Sequence, residues 1–140
     1  MLNIMEDYVT YEQAELLKEL GFDWDCLHGY YRFFDNKEPR LNTCGYAKNS
    51  IGGDFFYCAA PTLSQVQKWF REVKGIIIYP EPRFYKGKKP LLGYNYHLFD
   101  KDSGYYSHIE SETVYDTYEQ ACSAGIDKAI ELLKEENNGK

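Results

Sequence analysis

The pentapeptide Thr-Tyr-Glu-Gln-Ala stands at Thr10–Ala14 and again at Thr117–Ala121, and a looser copy, Thr-Leu-Ser-Gln-Val, stands at Thr62–Val66. In each copy a Gln follows the Thr by three residues, which is the spacing of a capping box. There the Thr hydroxyl accepts a hydrogen bond from the first turn of a helix, and the Gln side chain returns to the Thr N–H. The three copies therefore predict the starts of three helices.

Glycines predict where two of these helices end. Gly21 and Gly75 follow the apolar-periodic segments directly, as left-handed helix caps do, and Phe22 and Ile76 come next to fold back on the last turn. With apolar residues at helical spacing between start and stop, the sequence predicts helices over about residues 11–20, 63–74 and 118–135. Gly125 is a weak point in the third helix, at a cost of about 1 kcal/mol relative to Ala.

The remaining segments favour strands. Aromatic runs at 30–34 and 55–58 are typical of β-structure, and the segment between them is expected to be a long loop, or a loop with one short strand near 41–46. Residues 76–79 begin a strand that Pro80 and Pro82 confine to a sheet edge or a bulge. Residues 92–99 alternate as in a half-buried strand, and 105–114 form another.

The resulting order is α-β-β-α-β-β-β-α, with turns at 86–90 and 100–104. Successive strands joined by short turns pair antiparallel. We expect one α+β domain over residues 1–140, with an antiparallel sheet of four to six strands, three helices, and frayed ends at 1–8 and 136–140.

Composition and charge exclude several functions. The net charge is −6, and residues 1–38, with nine acids and three bases, carry all of the excess, which disfavours general binding to nucleic acid or an anionic membrane. The chain has no long apolar run and no basic segment at its start, so neither a membrane span nor a secretory signal is expected. Four cysteines without a compact framework indicate free thiols and a cytoplasmic location.

Three segments together resemble a known group. Thr-Tyr-Glu-Gln-Ala followed by Leu-Leu-Lys-Glu-Leu-Gly-Phe-Asp (16–23), Ala-Pro-Thr-Leu-Ser-Gln-Val-Gln-Lys-Trp-Phe-Arg-Glu (60–72) and the second Thr-Tyr-Glu-Gln-Ala resemble small proteins of gut Bacteroidetes and of their phages and mobile elements. The resemblance covers roughly residues 10–135. It implies a bacterial or phage cytosol, but no activity and no catalytic residues.

The spacing of possible metal ligands does not match a zinc site. Zinc sites use four N or S ligands, commonly in close pairs. Cys26 and His28 form the one tight pair here, and Cys44 and Cys58 lie apart. Cys58 is expected in a strand core and Cys122 in the buried stripe of the last helix. No metal ligand and no cofactor is therefore assigned from spacing.

The sequence offers one weak candidate for a catalytic site, a pair of histidines. His97 and His108 lie on adjacent predicted strands and could come close together, although His97 is expected to face solvent because it alternates with Tyr94 and Tyr96. No nucleophile elbow or phosphate loop is present. The sequence leans against an enzyme, and a hydrolytic or metal-dependent enzyme around these two histidines is an alternative.

Nucleic-acid binding is the second alternative. Residues 63–135 have the order α-β-β-β-α of a double-stranded-RNA-binding domain, and the first hairpin carries a group of cations: Arg83, Lys86, Lys88 and Lys89. The start of the last helix, with Asp116 and Glu119, has the wrong sign to bind phosphate. Such a role is therefore unlikely on charge grounds.

Protein binding is the leading expectation. Doubled aromatics place a ring on each face of a strand, and a sheet covered on one face would leave some of them for a partner. The expected binding residues are Tyr30, Tyr31, Tyr105 and Tyr106, together with the four hairpin cations. The sequence thus predicts a non-enzymatic protein-binding or adaptor module, with a homodimer as one possibility.

Overall fold

The computed structural model describes residues 7–33, 36–84, 87, 91–102 and 104–138. Its contacts divide the chain into two compact units, Met1–Thr62 and Leu63–Lys140, and each unit is described by itself. The described residues form helices and antiparallel strands in each unit. The α+β class with antiparallel pairing is therefore confirmed. None of the helices in the described ranges has both the length and the apolar character needed to cross a bilayer.

The first unit holds helix α1 and a three-stranded sheet. Helix α1 spans Tyr11–Glu19, and strands β1, β2 and β3 span Cys26–Phe33, Asn36–Ala47 and Phe56–Ala59. The strand order is β2-β1-β3, and both pairs are antiparallel. Most of the segment left open between a loop and a short strand is therefore the long edge strand β2. The sequence does not predict the strand clearly because the segment contains residues typical of turns. The strand can nevertheless include Pro39, because an edge strand tolerates proline.

The second unit has the order α-β-β-β-α. Helix α2 spans Leu63–Trp69 and continues as a π-helical segment, Phe70–Lys74. Strands β4, β5 and β6 span Ile76–Phe84, Leu91–Asp100 and Gly104–Glu110, and helix α3 spans Tyr118–Asn138. The sheet is an antiparallel meander in the order β4-β5-β6. Strand β4, with its two prolines, is an edge strand, as predicted.

The two copies of the pentapeptide form the same capping box. The Gln13 N–H donates to Thr10 Oγ1 at 3.1 Å, and the Thr10 N–H donates to Gln13 Oε1 at 3.0 Å. At the second copy the Gln120 N–H donates to Thr117 Oγ1 at 3.1 Å, and the Thr117 N–H donates to Gln120 Oε1 at 3.2 Å. The repeat therefore marks helix starts in both units, as its spacing predicted.

The helix ends also agree with the sequence. Gly21 has φ 97°, its N–H donates to the Lys18 carbonyl at 3.1 Å, and the Phe22 N–H donates to the Leu17 carbonyl at 2.9 Å. This pair of bonds is a Schellman motif, and Phe22 and Leu17 are both buried beside it. Gly75 likewise ends the π-helical segment in the left-handed conformation.

Helix α3 packs closely on strands β4 and β5 at a glycine. A Cβ added to Gly125 would lie 2.9 Å from Ile78 Cγ2 and 3.3 Å from Tyr96 Cβ. The first distance is shorter than real Cβ contacts, and Ile78 is a stiff, buried β-branched residue. The helix-weakening glycine thus permits the close approach of helix and sheet.

We expect Gly125→Ala to lower the free energy of unfolding by up to about 2 kcal/mol, because overpacking costs about 1–3 kcal/mol and helix propensity returns about 1 kcal/mol. Urea denaturation followed by circular dichroism measures this difference. The control uses Glu135, which is exposed on the same helix. Because no packing changes there, Glu135→Ala should be more stable than Glu135→Gly, and the difference measures helix propensity alone. A stabilised Gly125→Ala variant would contradict the packing argument.

Candidate functional site

Two histidines meet on the second sheet. The register of β5 and β6 pairs His97 with Glu110 and Leu98 with Ile109, which places His108 beside Phe99. His97 Nδ1 lies 2.7 Å from His108 Nε2. The ring centroids are 4.9 Å apart and the ring planes differ by 5°, so the two rings are nearly parallel. The prediction that these histidines come close together is confirmed.

Two carboxylates flank the other side of His97. Glu81 Oε2 lies 2.5 Å from His97 Nε2, and Glu110 Oε1 lies 3.9 Å from the same nitrogen. The Glu81 oxygen is near enough for an ion pair but is not aligned with the ring nitrogen as a hydrogen bond requires. Each ring nitrogen of His97 therefore faces a different polar partner.

The expectation that His97 faces solvent is wrong. Its relative exposure is 7%, and Asn95, on the same face of β5, is 2% exposed. The rings of Phe99 and His108 lie nearly parallel to the His97 ring, and the centroids of Phe99 and His108 are 4.6 Å apart. Both faces of β5 are thus covered. The alternation in the sequence therefore separates the face that packs next to α3 from a second, polar face, and it does not separate a core face from a solvent face.

The arrangement meets the geometric requirement for a metal site. His97, His108 and Glu110 each offer a ligand atom, and these three atoms lie within 4.8 Å of one another. In the part of the chain that the structure describes, this is the one group of three or more His, Cys, Asp or Glu side chains that does so. Two imidazoles and one carboxylate form a donor set that suits several divalent transition metals.

An open cleft of about 400 Å³ lies beside the metal-ligand group. Its lining residues are Arg83, Asn95, Glu110, Ser111, Glu112 and Val114. Glu110 belongs to both the cleft and the metal-ligand group. A second open cleft, of about 480 Å³, lies at the start of α3 and is lined by Asp116 and Asp127 without any imidazole, so it offers no comparable donor set.

Three contacts hold Glu110 in the cleft wall. The Asn95 side-chain amide donates to Glu110 Oε1 at 2.9 Å, and Arg83 Nη1 lies 3.5 Å from the same oxygen. His97 Nε2 is the third neighbour, at 3.9 Å. Among the described residues, Asn95 Oδ1 is a buried acceptor with no hydrogen-bond partner. Such atoms are uncommon in folded proteins, since an unmade buried hydrogen bond costs about 1–3 kcal/mol.

Sequence reasoning missed Glu81 and Asn95. Spacing along one strand does not reveal them, because they join the site through cross-strand pairing: Glu81 is paired with Asn95, and His97 with Tyr79. One signal was available. Asn95 and His97 are polar residues at alternate positions among aromatic and apolar neighbours, which indicates that one face of the strand is polar.

The aromatic candidates lie elsewhere. Tyr30 is 9% exposed, burial raises the pKa of its hydroxyl, and that hydroxyl donates to the Val9 carbonyl at 2.6 Å, so it belongs to the core of the first unit. Tyr31 is half-buried and packs edge-on against Phe56. The side chains of Tyr105 and Tyr106 lie outside the description, as do residues Lys86, Lys88 and Lys89. The protein-binding, homodimer and nucleic-acid expectations stay predictions.

The cysteines are packed rather than grouped. Cys26, Cys58 and Cys122 are buried free thiols, and the side chain of Cys44 lies outside the description. Cys58 and Cys122 are fully buried, which confirms the packing roles expected for them. His28 Nε2 lies 2.8 Å from Thr43 Oγ1 and is not part of the metal-ligand group.

Comparison with known proteins finds no match to the chain among protein-family models, among curated proteins or among solved structures.

Proposed function

We propose that the chain binds a divalent transition-metal ion through His97, His108 and Glu110, and that this ion is the basis of its activity. The observation that carries the proposal is the convergence of three donor atoms within 4.8 Å of one another on one sheet face. Of the functions that the sequence left open, a metal-dependent enzyme is the one that this geometry supports best.

The imidazole nitrogens are close to the separation that a metal requires. In a tetrahedral site with bonds of about 2.0–2.1 Å, two ligand nitrogens lie about 3.3 Å apart. His97 Nδ1 and His108 Nε2 lie at the hydrogen-bond distance of 2.7 Å and would separate by about 0.6 Å to admit the ion. Both rings would also have to turn so that their lone pairs point at the ion.

Glu81, on the Nε2 side of His97, leaves Nδ1 as the metal ligand, and Glu110, which also lies on the Nε2 side, would then have to turn toward the ion. Metal-binding histidines usually direct their second nitrogen at a carboxylate or carbonyl, which fixes the ring and raises its basicity. Glu81 Oε2 lies beside His97 Nε2 at ion-pair distance, and its carboxylate would have to turn to accept a hydrogen bond from that nitrogen. His97, on the central strand and nearly buried, thus has the environment of an oriented ligand.

Three protein ligands leave positions on the ion for water or substrate, as in catalytic metal sites. A bound ion of this kind supplies Lewis acidity and lowers the pKa of a coordinated water. The adjoining open cleft gives a small substrate access to Glu110, which lines it. The proposed class of activity is therefore metal-dependent chemistry, such as hydrolysis, on a small molecule.

The test is titration of the purified, chelator-treated protein with Zn²⁺ by calorimetry and with Co²⁺ by visible absorption. We expect one ion per chain, with Co²⁺ bands typical of mixed nitrogen and oxygen ligands. His108→Ala and Glu110→Gln should each weaken binding at least about 100-fold, and Glu81→Gln about 10–100-fold, the usual effect of losing a carboxylate behind a ligating histidine.

His28 provides a matched control, because it is the third histidine of the chain, lies on the first sheet and is not a member of the metal-ligand group. His28→Gln should leave metal affinity unchanged. If Zn²⁺ binds no more tightly to the original protein than to His108→Ala, or if His28→Gln is the variant that loses it, the proposed site is wrong.

A further inference from the structure

We infer that the cleft beside the metal binds a small carboxylate that carries an adjacent hydroxyl group, and that it does so in the metal-loaded protein. The inference rests on the proposed metal site and assigns the class of ligand to it. Three features of the cleft carry it: its charge, the placement of Arg83, and the buried amide of Asn95.

The charge of the cleft depends on the metal. Its lining carries one cation, Arg83, and two carboxylates, Glu110 and Glu112, so without metal it has one excess negative charge and repels anions. A divalent ion bound at Glu110 reverses this to one excess positive charge. Anion binding is therefore expected only after the metal is bound.

Arg83 is placed to bind the carboxylate. Its side chain is 48% exposed at the cleft, and its one ion-pair contact in the described structure is the long 3.5 Å approach of Nη1 to Glu110 Oε1. A guanidinium has five N–H donors, and its planar fork matches a carboxylate. Since the metal competes for the same carboxylate, metal binding at Glu110 loosens this contact and leaves the guanidinium for the ligand.

Asn95 supplies the reason for the hydroxyl group. It lines the cleft, its amide nitrogen is engaged by Glu110, and its buried Oδ1 accepts no hydrogen bond from any described residue. A ligand hydroxyl is a donor of the right kind for this acceptor, which has almost no accessible surface in the metal-free arrangement and would be reached only once Glu110 turns from Asn95 to the metal. A site with a buried polar atom discriminates strongly in favour of ligands that satisfy it.

Glycolate is the probe, with acetate as the comparison that lacks the hydroxyl. Calorimetric titration of the Zn²⁺-loaded protein should show glycolate binding at least about tenfold tighter than acetate, and Asn95→Ala should remove this preference, whereas a preference due only to chelation of Zn²⁺ by the glycolate hydroxyl would survive it. The metal-free protein should bind neither. By linkage, saturating glycolate should raise the affinity for Zn²⁺ by the same factor by which Zn²⁺ raises the affinity for glycolate.

Arg83→Gln should weaken glycolate binding at least about tenfold while Zn²⁺ still binds. Arg32→Gln, which removes an exposed arginine from the first unit, is the matched control and should leave both affinities unchanged. Equal glycolate binding with and without Zn²⁺, no effect of Arg83→Gln, or acetate binding as tight as glycolate would each overturn the inference. Failure of Zn²⁺ itself to bind in the absence of glycolate would instead overturn the metal site.

Discussion

Gly93→Ala is expected to lower the free energy of unfolding of the second unit by more than about 3 kcal/mol, the largest effect of any single methyl group considered in this molecule. Gly93 lies in β5 with φ 151°, where a side chain is strained, and a Cβ there would be 2.3 Å from the Tyr115 carbonyl oxygen. That oxygen cannot move away freely, because Tyr94 and Tyr115 exchange backbone hydrogen bonds of 2.8 and 2.6 Å.

Urea denaturation followed by far-ultraviolet circular dichroism measures the loss. Gly53→Ala is the matched control: it adds the same methyl group at a position with no heavy atom within 4 Å of the new Cβ. The control should unfold within about 0.5 kcal/mol of the original protein. Two variants with equal midpoints would show that the Gly93–Tyr115 approach is not as close as described.

Cys58 and Cys122 are expected to react with thiol reagents at least about 100-fold more slowly in the folded protein than in the unfolded chain. Both are fully buried, and burial raises the pKa of each thiol to about 12. The thiolate is the reactive form, so a pKa three units above the usual range leaves about one-thousandth of the ordinary thiolate near pH 8.

Alkylation with iodoacetamide, mapped by mass spectrometry with and without urea, tests both thiols at once. Ser64→Cys, at an exposed position on α2, gives a reference thiol that should react promptly in the folded protein. Labelling of Cys58 or Cys122 at the rate of this reference would contradict their burial.

The same pKa changes give a direction for stability against pH. The pKa of each thiol is higher in the folded state than in the unfolded state, so their contribution is complete below about pH 9. Between about pH 9 and 12 the unfolded chain loses these protons first, and stability falls as the pH rises. Thermal unfolding measured across this range should show a falling melting temperature.

Local signals in the sequence predicted the helices. The capping boxes at Thr10 and Thr117 and the glycine at position 21 act within a few residues of themselves, so their geometry follows from the sequence alone. Strand β2 was not determined in this way. Its pairing with β1 depends on neighbours distant in the chain, and its one proline and one glycine favour a loop locally.

The candidate site shows the same division. The sequence placed His97 and His108 on neighbouring strands, which was enough to expect their approach. It did not predict the burial of His97, because that depends on the rings of Phe99 and His108 lying beside it. Glu81 lies at the site only because β4 pairs with β5 in the observed register. A shift of one residue in that register would turn its side chain to the other face of the sheet.

The two faces of strand β5 have different roles, one in packing against helix α3 and the other in lining the candidate site. Tyr96 lies against the helix at Gly125 and Leu98 is buried, while Asn95 and His97, at the alternate positions, belong to the metal-ligand group and its cleft. Substitutions at Asn95 can therefore alter the polar face of the strand without disturbing the helix-packed layer. A strand with this division can diverge in chemistry during evolution while its architecture stays the same, and directed evolution of new specificities in this protein would best begin at residue 95, with the proposed metal ligands kept.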